Sequence, residues 1–498
     1  MQTPLYDLLV IGGGINGAGV AADAAGRGLS VCLAEQGDLA SGTSQASSKL
    51  VHGGLRYLEH YEFRLVREAL AEREVMLERA PHIVWPLRFV LPIADGLRSR
   101  LRLRAGLFLY DHLAARRRIP ASNAIDLTSD AAGRALRAGF RHGFSYWDCW
   151  VDDARLVVLN ARLAAAKGAA IRTRTRVTAL HRGDDTWTVS LDAAGHREDC
   201  RARVVVNAAG PWAGNVAALA RANALPDEIK LRLVKGSHIV VPRIDGAEDA
   251  YLFQNTDGRV VFVLPFERDF TLIGTTEVPV GTTPVAPACT PEEQDYLVAA
   301  ANRFLAQPLT RNDIVWRFAG VRPLQAGETE TNPSALSRDY QIELSGHAFG
   351  SALLTILGGK ITTYRCLAEA VLERLAPLFP GMGPRWTSGE ALPGGDIPAG
   401  DVGLYLEGLA RLYAWLPEPM LTALARRHGT HVRDVIGDAR RLADMGALFP
   451  SGLSEREVRY LATNEWAVTP EDILWRRTKA GLHMAKDDRS GAAIAALL

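Results

Sequence analysis

The stretch "VIGGGINGAGVAADAAGRGLSVCLAE", residues 10–35, decides the fold. It continues the apolar run at residues 8–11, bounded by Asp7 and Gly12, which has the uninterrupted character of a strand buried on both faces. A Gly- and Ala-rich segment of helical length comes next, then a second short apolar run that ends at Glu35. Together they read as a β-α-β unit. Gly12, Gly14 and Gly17, with Ile15 and Asn16 between them, occupy the turn from strand to helix. Without Cβ atoms there, the backbone approaches a pyrophosphate closely, and the helix N-terminus offers it free N–H groups and a favourable dipole. Glu35 accepts from a ribose hydroxyl. A carboxylate at that point repels a 2′-phosphate, which excludes NADP and leaves FAD and NAD.

The course of the chain beyond Glu35 separates the two. An NAD enzyme completes its sheet at once, whereas this chain departs for a helix at about residues 61–80 and a long mixed region. It returns to buried strand-and-glycine patterns twice, in "RVVVNAAG" (203–210) and "SALLTILGGKITTYR" (351–365). Such interleaving resembles the FAD-binding oxidoreductases of the glutathione-reductase and D-amino-acid-oxidase type. The expected fold is α/β (α+β overall). A Rossmann-like FAD-binding domain at 1–80, 151–230 and 341–392 is interleaved with an antiparallel-sheet substrate domain at 81–150 and 231–340, and an all-helical domain occupies 393–498. In that fold Ala209 and Gly210 make a second backbone approach to the dinucleotide, and Val177 lies against the adenine. Gly359, Lys360, Ile361 and Thr362 form a glycine turn at a helix start, suited to negative charge on the flavin.

At 498 residues the chain exceeds one compact core, and its 48% apolar and 23% charged composition is that of a folded protein. Its 57 Lys plus Arg against 56 Asp plus Glu leave no global field for nucleic acid. Cys32, Cys149, Cys200, Cys289 and Cys366 are scattered, so neither a zinc site nor any other metal is expected, and a reducing compartment is. The opening "MQTPLYDLLVIGGG" lacks the basic and apolar regions of a secretory leader, and no run reaches the roughly 18 apolar residues of a spanning helix. The segment 96–120 carries Arg98, Arg100, Arg102 and Arg104, an apolar decade, then Arg116, Arg117 and Arg118. It is expected to touch an anionic membrane surface.

Several separated blocks carry a closer likeness: residues 10–35, "GTSQASSKLVHGGLRYLE" (42–59), "YWDCWVDDARLV" (146–157), "VKGSHIVVP" (234–242), "IGTTE" (273–277), "GVRPL" (320–324), "SRDY" (337–340), "GGKITTYR" (358–365) and "LWRRTKAGL" (474–482). In this order they resemble the FAD-dependent, respiratory glycerol-3-phosphate dehydrogenases. Gln45 is a small departure in a segment often richer in Ser and Thr. The resemblance implies oxidation of sn-glycerol 3-phosphate to dihydroxyacetone phosphate, electrons passing to a membrane quinone. It also implies a homodimer attached peripherally to the inner face of the cytoplasmic membrane. A related oxidase, acting on glycerol phosphate or an amino acid with oxygen as acceptor, is the alternative.

On that resemblance Thr43, Ser44, Ser47, Ser48, Lys49 and Leu50 run along the pyrophosphate and ribityl chain. His52, Gly53 and Gly54 reach the flavin, the glycines so that main chain presses on it without a Cβ clash. Arg56, Tyr57, Arg322, Arg338, Lys360 and Glu277 surround the substrate, with Arg322 and Arg338 the strongest for its phosphate. His238, Arg322 and His52 are the expected catalytic residues. His238 is the first choice of base and His52 the second.

Overall fold

A computed structural model describes residues 3–93, 99–220, 231–281, 286–325, 339–347, 350–485 and 488–498. Leu8, Leu9, Val10 and Ile11 are buried on both faces of the strand Leu5–Ile11, as their unbroken apolar run requires. This strand pairs in parallel with Val31–Ala34 on one side and His196–Asn207 on the other. The first sheet runs in the order Tyr340–His347, Gly350–Gly358, His196–Asn207, Leu5–Ile11, Val31–Ala34 and Ala170–Arg172, with Trp187–Ala193 and Thr175–Arg182 attached. The two later returns of the chain therefore lie on the same side of the first strand.

Helix Ile15–Gly26 packs between helices Asp153–Ala166 and Tyr364–Leu375. Its small residues make this possible: a Cβ on Gly19 would fall 2.8 Å from the ring of Tyr364, and one on Gly26 would fall 2.0 Å from the ring of Trp386.

The second sheet runs Val278–Val280, Leu231–Pro242, Phe270–Gly274, Val260–Phe266, Ala250–Gln254, Val84–Pro92, His142–Val151 and Leu50–Val51. Trp316–Gln325 pairs with Leu231–Pro242, and Asn123–Asp126 with His142–Val151. The sheet is antiparallel except where Ala250–Gln254 runs parallel to Val84–Pro92. Leu50–Val51, from the first eighty residues, joins this sheet and not the first.

From residue 402 onward the chain is helical, with its own core around Leu409, Met420, Leu424, Val435 and Ile436. It is fastened to the first sheet's helices by buried charge. Arg155, fully buried, donates to Glu465 and, at 2.8 Å, to the carbonyl of Arg427. No helix among the described residues is long and apolar enough to cross a membrane.

Candidate active site

The glycine turn after Leu5–Ile11 and the loop after His196–Asn207 touch backbone to backbone. Gly12 has φ +112°, and a Cβ there would fall 2.6 Å from the carbonyl oxygen of Ala208. A Cβ on Gly17 would fall 1.9 Å from the carbonyl oxygen of Gly12, so the turn closes on itself only with glycine at both ends. Gly14 caps helix Ile15–Gly26 with no side-chain cap, and Ser44 Oγ accepts from Ile15 N at 3.0 Å. Glu35 accepts from Gly13 N and from Gly37 N, each at 2.7 Å. Burial pushes its carboxyl up, against the pull of those two N–H groups.

The third glycine turn closes on the same place. Asn16 Nδ2 donates to the carbonyl of Gly358 at 3.2 Å, and Gly359, at φ +94°, has Asn16 3.3 Å from where its Cβ would be. Asn16 Oδ1 is buried with no partner among the described residues. A helix N-terminus without a side chain at its cap residue, a carboxylate, crowded glycines and an orphaned buried acceptor together fit a bound dinucleotide.

The HGG segment joins this region to the second sheet. His52 N donates to Thr362 Oγ1 at 3.3 Å, from the short turn Ile361–Thr363, and the His52 ring meets Phe262 edge-on at 6.2 Å. Beyond it, His52, Arg56, Tyr57, Phe262, Thr275 and Glu277 line a recess. Lys360 Nζ stands 3.6 Å over the ring of Tyr57. Arg56 Nε is buried with no partner among the described residues.

Arg322 reaches the same place from the strand Trp316–Gln325. It donates to Thr275 Oγ1 at 3.2 Å and lies 3.7 Å from Glu277. His238, opposite Gly274 and Phe318 in the sheet, stacks on Phe318 with 4.9 Å between centroids. Its Nε2 is 2.9 Å from Ser48 Oγ. Burial, then the charges of Arg322 and Lys49, push its pKa well below the usual histidine value, so the ring is neutral at pH 7.

Other expected positions have different surroundings. Lys49, placed by the sequence along the dinucleotide, has its side chain enclosed in an ion pair with Asp153 at 2.6 Å, both side chains fully buried. That charge is neutralised inside the protein. Ser47 Oγ donates to the same Asp153 at 2.7 Å, and Thr43 Oγ1 to the carbonyl of Val321 at 2.6 Å.

The two adjacent glycines are demanded by the chain itself. A Cβ on Gly53 would strike Leu70 at 2.6 Å and the Tyr110 hydroxyl at 2.7 Å, and one on Gly54, at φ +79°, would enter the Tyr57 ring at 2.2 Å. Leu50 and Val177 are buried in strands, and Gly210 turns with φ +56° beside Ala209. Arg338 lies outside the described residues.

Sequence reasoning missed Gly236, Gly274 and Thr275. A Cβ on Gly274 would meet His238 at 2.1 Å, and one on Gly236 would meet Arg322 and Thr275 at 2.7 Å each. The signal was a glycine inside each of two strand patterns, the mark of a close approach.

A family model described as FAD dependent oxidoreductase matches residues 7–365, and one described as the C-terminal domain of alpha-glycerophosphate oxidase matches residues 386–497. The chain is 50% identical to a glycerol-3-phosphate dehydrogenase of Pseudomonas aeruginosa, over 97% of this chain and 93% of the relative. It is 49% identical to a D-erythritol 1-phosphate dehydrogenase of Brucella abortus, over 97% and 96%. Among solved structures, a glycerol-3-phosphate dehydrogenase from Bacillus halodurans complexed with FAD superposes with a TM-score of 0.75 at 29% identity, covering 96% of this chain and 86% of the other. The chain belongs to the family of FAD-dependent oxidoreductases that includes the glycerol-3-phosphate dehydrogenases.

Proposed function

We propose that the protein oxidises sn-glycerol 3-phosphate to dihydroxyacetone phosphate and passes the electrons to a membrane quinone. The observation that carries this reading is the gathering of Arg56, Arg322 and Lys360 with a buried, neutral histidine where the two sheets meet, beside the dinucleotide-type glycine turns. FAD, when bound, accepts the hydride from C2 of the substrate.

In this reading the cations hold the phosphate dianion, and arginine's fork matches its oxygens. Tyr57 and Glu277 bind the hydroxyl end, Glu277 also steadying Arg322. His238 takes the C2 hydroxyl proton. With Nε2–H donating to Ser48 Oγ, Nδ1 is the acceptor, and it has no partner among the described residues. His52, knitted to Thr362, orients the segment that bridges cofactor and substrate. The turn at Gly359, Lys360, Ile361 and Thr362 faces negative charge on the cofactor with backbone N–H groups.

Attachment to an anionic membrane surface through helix Arg100–His112, and assembly as a homodimer, belong to the same proposal. The likeness to the erythritol phosphate enzyme favours one second reading, a longer polyol phosphate as substrate.

Adding glycerol 3-phosphate without oxygen to the yellow protein should bleach the flavin absorbance. A flavin that stays oxidised with glycerol 3-phosphate but bleaches with D-erythritol 1-phosphate would transfer the reading to the longer substrate. Bleaching by neither, while dithionite reduces it, would end both.

A further inference from the structure

The helical C-terminal region makes one contact with the nucleotide-binding turn that the proposed chemistry does not use. Asp38 lies in the loop after Glu35, is 4% exposed, and has both carboxylate oxygens taken by arginines from the far end of the chain. Arg477, fully buried, grips it with both ends of its fork, at 2.7 and 2.8 Å, and Arg476 Nε adds a third bond at 2.5 Å.

A π-helical turn, Asp472–Arg477, presents the two adjacent arginines to one carboxylate, a backbone variant found disproportionately at functional positions. The same turn reaches the loop's other neighbour: Arg174 NH2 donates to Asp472 at 2.5 Å, and Arg174 N donates to the carbonyl of Gly37 at 2.8 Å. Within that loop, Gly37 N binds Glu35, and Ala40 N donates to the carbonyl of Gly13 at 3.0 Å, in the first glycine turn. Asp38 thus joins the C-terminal region to the residues that present Glu35 and the glycine turn.

We infer that Arg476 and Arg477 are positioning residues for the adenosine end of FAD, the C-terminal region acting as a clamp that holds the Glu35 loop in its binding geometry. This rests on the reading that residues 10–35 hold FAD. The physical reason is preorganisation: a loop held by a doubly bonded, buried carboxylate need not be ordered when the cofactor binds. If the clamp fails, the cost falls on cofactor affinity and not on the reacting atoms.

The test measures FAD release from the full-length holoprotein by the recovery of free flavin fluorescence after dilution. Arg477→Met should release FAD at least tenfold faster than the parent, while saturating FAD restores the parental KM for glycerol 3-phosphate. Asp38→Asn should act in the same direction and add little on top of Arg477→Met, the signature of one shared interaction. Arg162→Met removes a different contact with the same region, Arg162 to Glu465 at 3.3 Å, and should leave the release rate unchanged.

Parental release from folded Arg477→Met, or equal acceleration by Arg162→Met, would overturn the proposal. If Arg477→Met does not fold, Arg477→Lys decides: it keeps the charge and loses the fork, so threefold faster release supports the clamp and the parental rate overturns it. A parent that binds no FAD would refute the cofactor reading itself.

Discussion

A single methyl group at position 236 would reach the proposed phosphate site without touching the cofactor. Gly236 lies in the strand Leu231–Pro242, and its added Cβ would sit 2.7 Å from an Arg322 nitrogen and from Thr275 Oγ1. The arginine is the softer partner and must move, taking its cation out of position. Gly236→Ala should raise the KM for glycerol 3-phosphate at least tenfold with FAD content unchanged, measured by steady-state kinetics and flavin absorbance. A parental KM would show that Arg322 has room to spare.

Gly12 and Gly17 were legible in the sequence because part of their constraint is local: Gly12 turns with φ +112°, and a Cβ on Gly17 would strike the Gly12 carbonyl, whereas the press of Gly12 on Ala208 comes from a distant strand end. Gly236 was not, because its neighbours come from the strand Trp316–Gln325 and from the residue just beyond the strand Phe270–Gly274, whose register no single segment encodes. The partner of the Lys49 side chain was hidden for a related reason. Sequence shows a lysine beside a cofactor motif, but the buried Asp153 that neutralises it is 104 positions away.

At the scale of elements, helix Arg100–His112 resolves the basic segment. Leu103, Leu107 and Tyr110 face inward, and Tyr110 donates to Asp148 at 2.7 Å, while Leu101 (84% exposed), Phe108 and Leu109 stay outside with Arg100, Arg102 and Arg104. The apolar residues serve two opposed faces, which is why no single amphipathic face was evident in the sequence. The later arginines are largely balanced: Arg116 lies 3.8 Å from Asp111, Arg117 3.6 Å from Glu78, and Arg118 3.9 Å from Glu78. In the proposed membrane contact the first group, in which Arg102 also lies 4.0 Å from Glu59, would carry the attachment. At about 1 kcal/mol per basic residue, replacing Arg100, Arg102 and Arg104 with Ser should weaken partition onto anionic vesicles by about a hundredfold. Sedimentation with phosphatidylserine and with neutral vesicles checks it, and equal binding of variant and parent to both would remove the helix from the membrane contact.

For the whole molecule, buried histidines contribute to the acid limit. His82 is fully buried, neither ring nitrogen has a partner among the described residues, and burial together with the charge of Arg155 pushes its pKa well below the usual value. His238 and His428 are lowered as well, each chiefly by burial. Below about pH 6.5 the unfolded chain takes up protons that these native rings refuse, so stability is present above that pH and declines as the pH falls toward the folded values, by up to about 1.4 kcal/mol per unit and per group. His82→Phe should flatten that decline, read as a smaller drop in unfolding temperature between pH 6.5 and 5.5. Parallel curves for variant and parent would mean that His82 does not contribute to the limit.

The interleaved architecture was readable from the sequence, since each return to the first sheet carries its own strand and glycine turn. The strand order of the second sheet was not, because the parallel pairing of Ala250–Gln254 with Val84–Pro92 joins segments that no turn connects.

The bond between Asp38 and Arg477 spans 439 positions. A ribosome adding 5–20 residues per second needs about 20–90 s to travel that far. Through that interval the first glycine turn has emerged while its last fastening does not yet exist. A nascent chain is therefore fully equipped to retain its cofactor only after Arg477 has been made, and a message broken before that codon yields a protein with the motif for FAD but without the final hold on it.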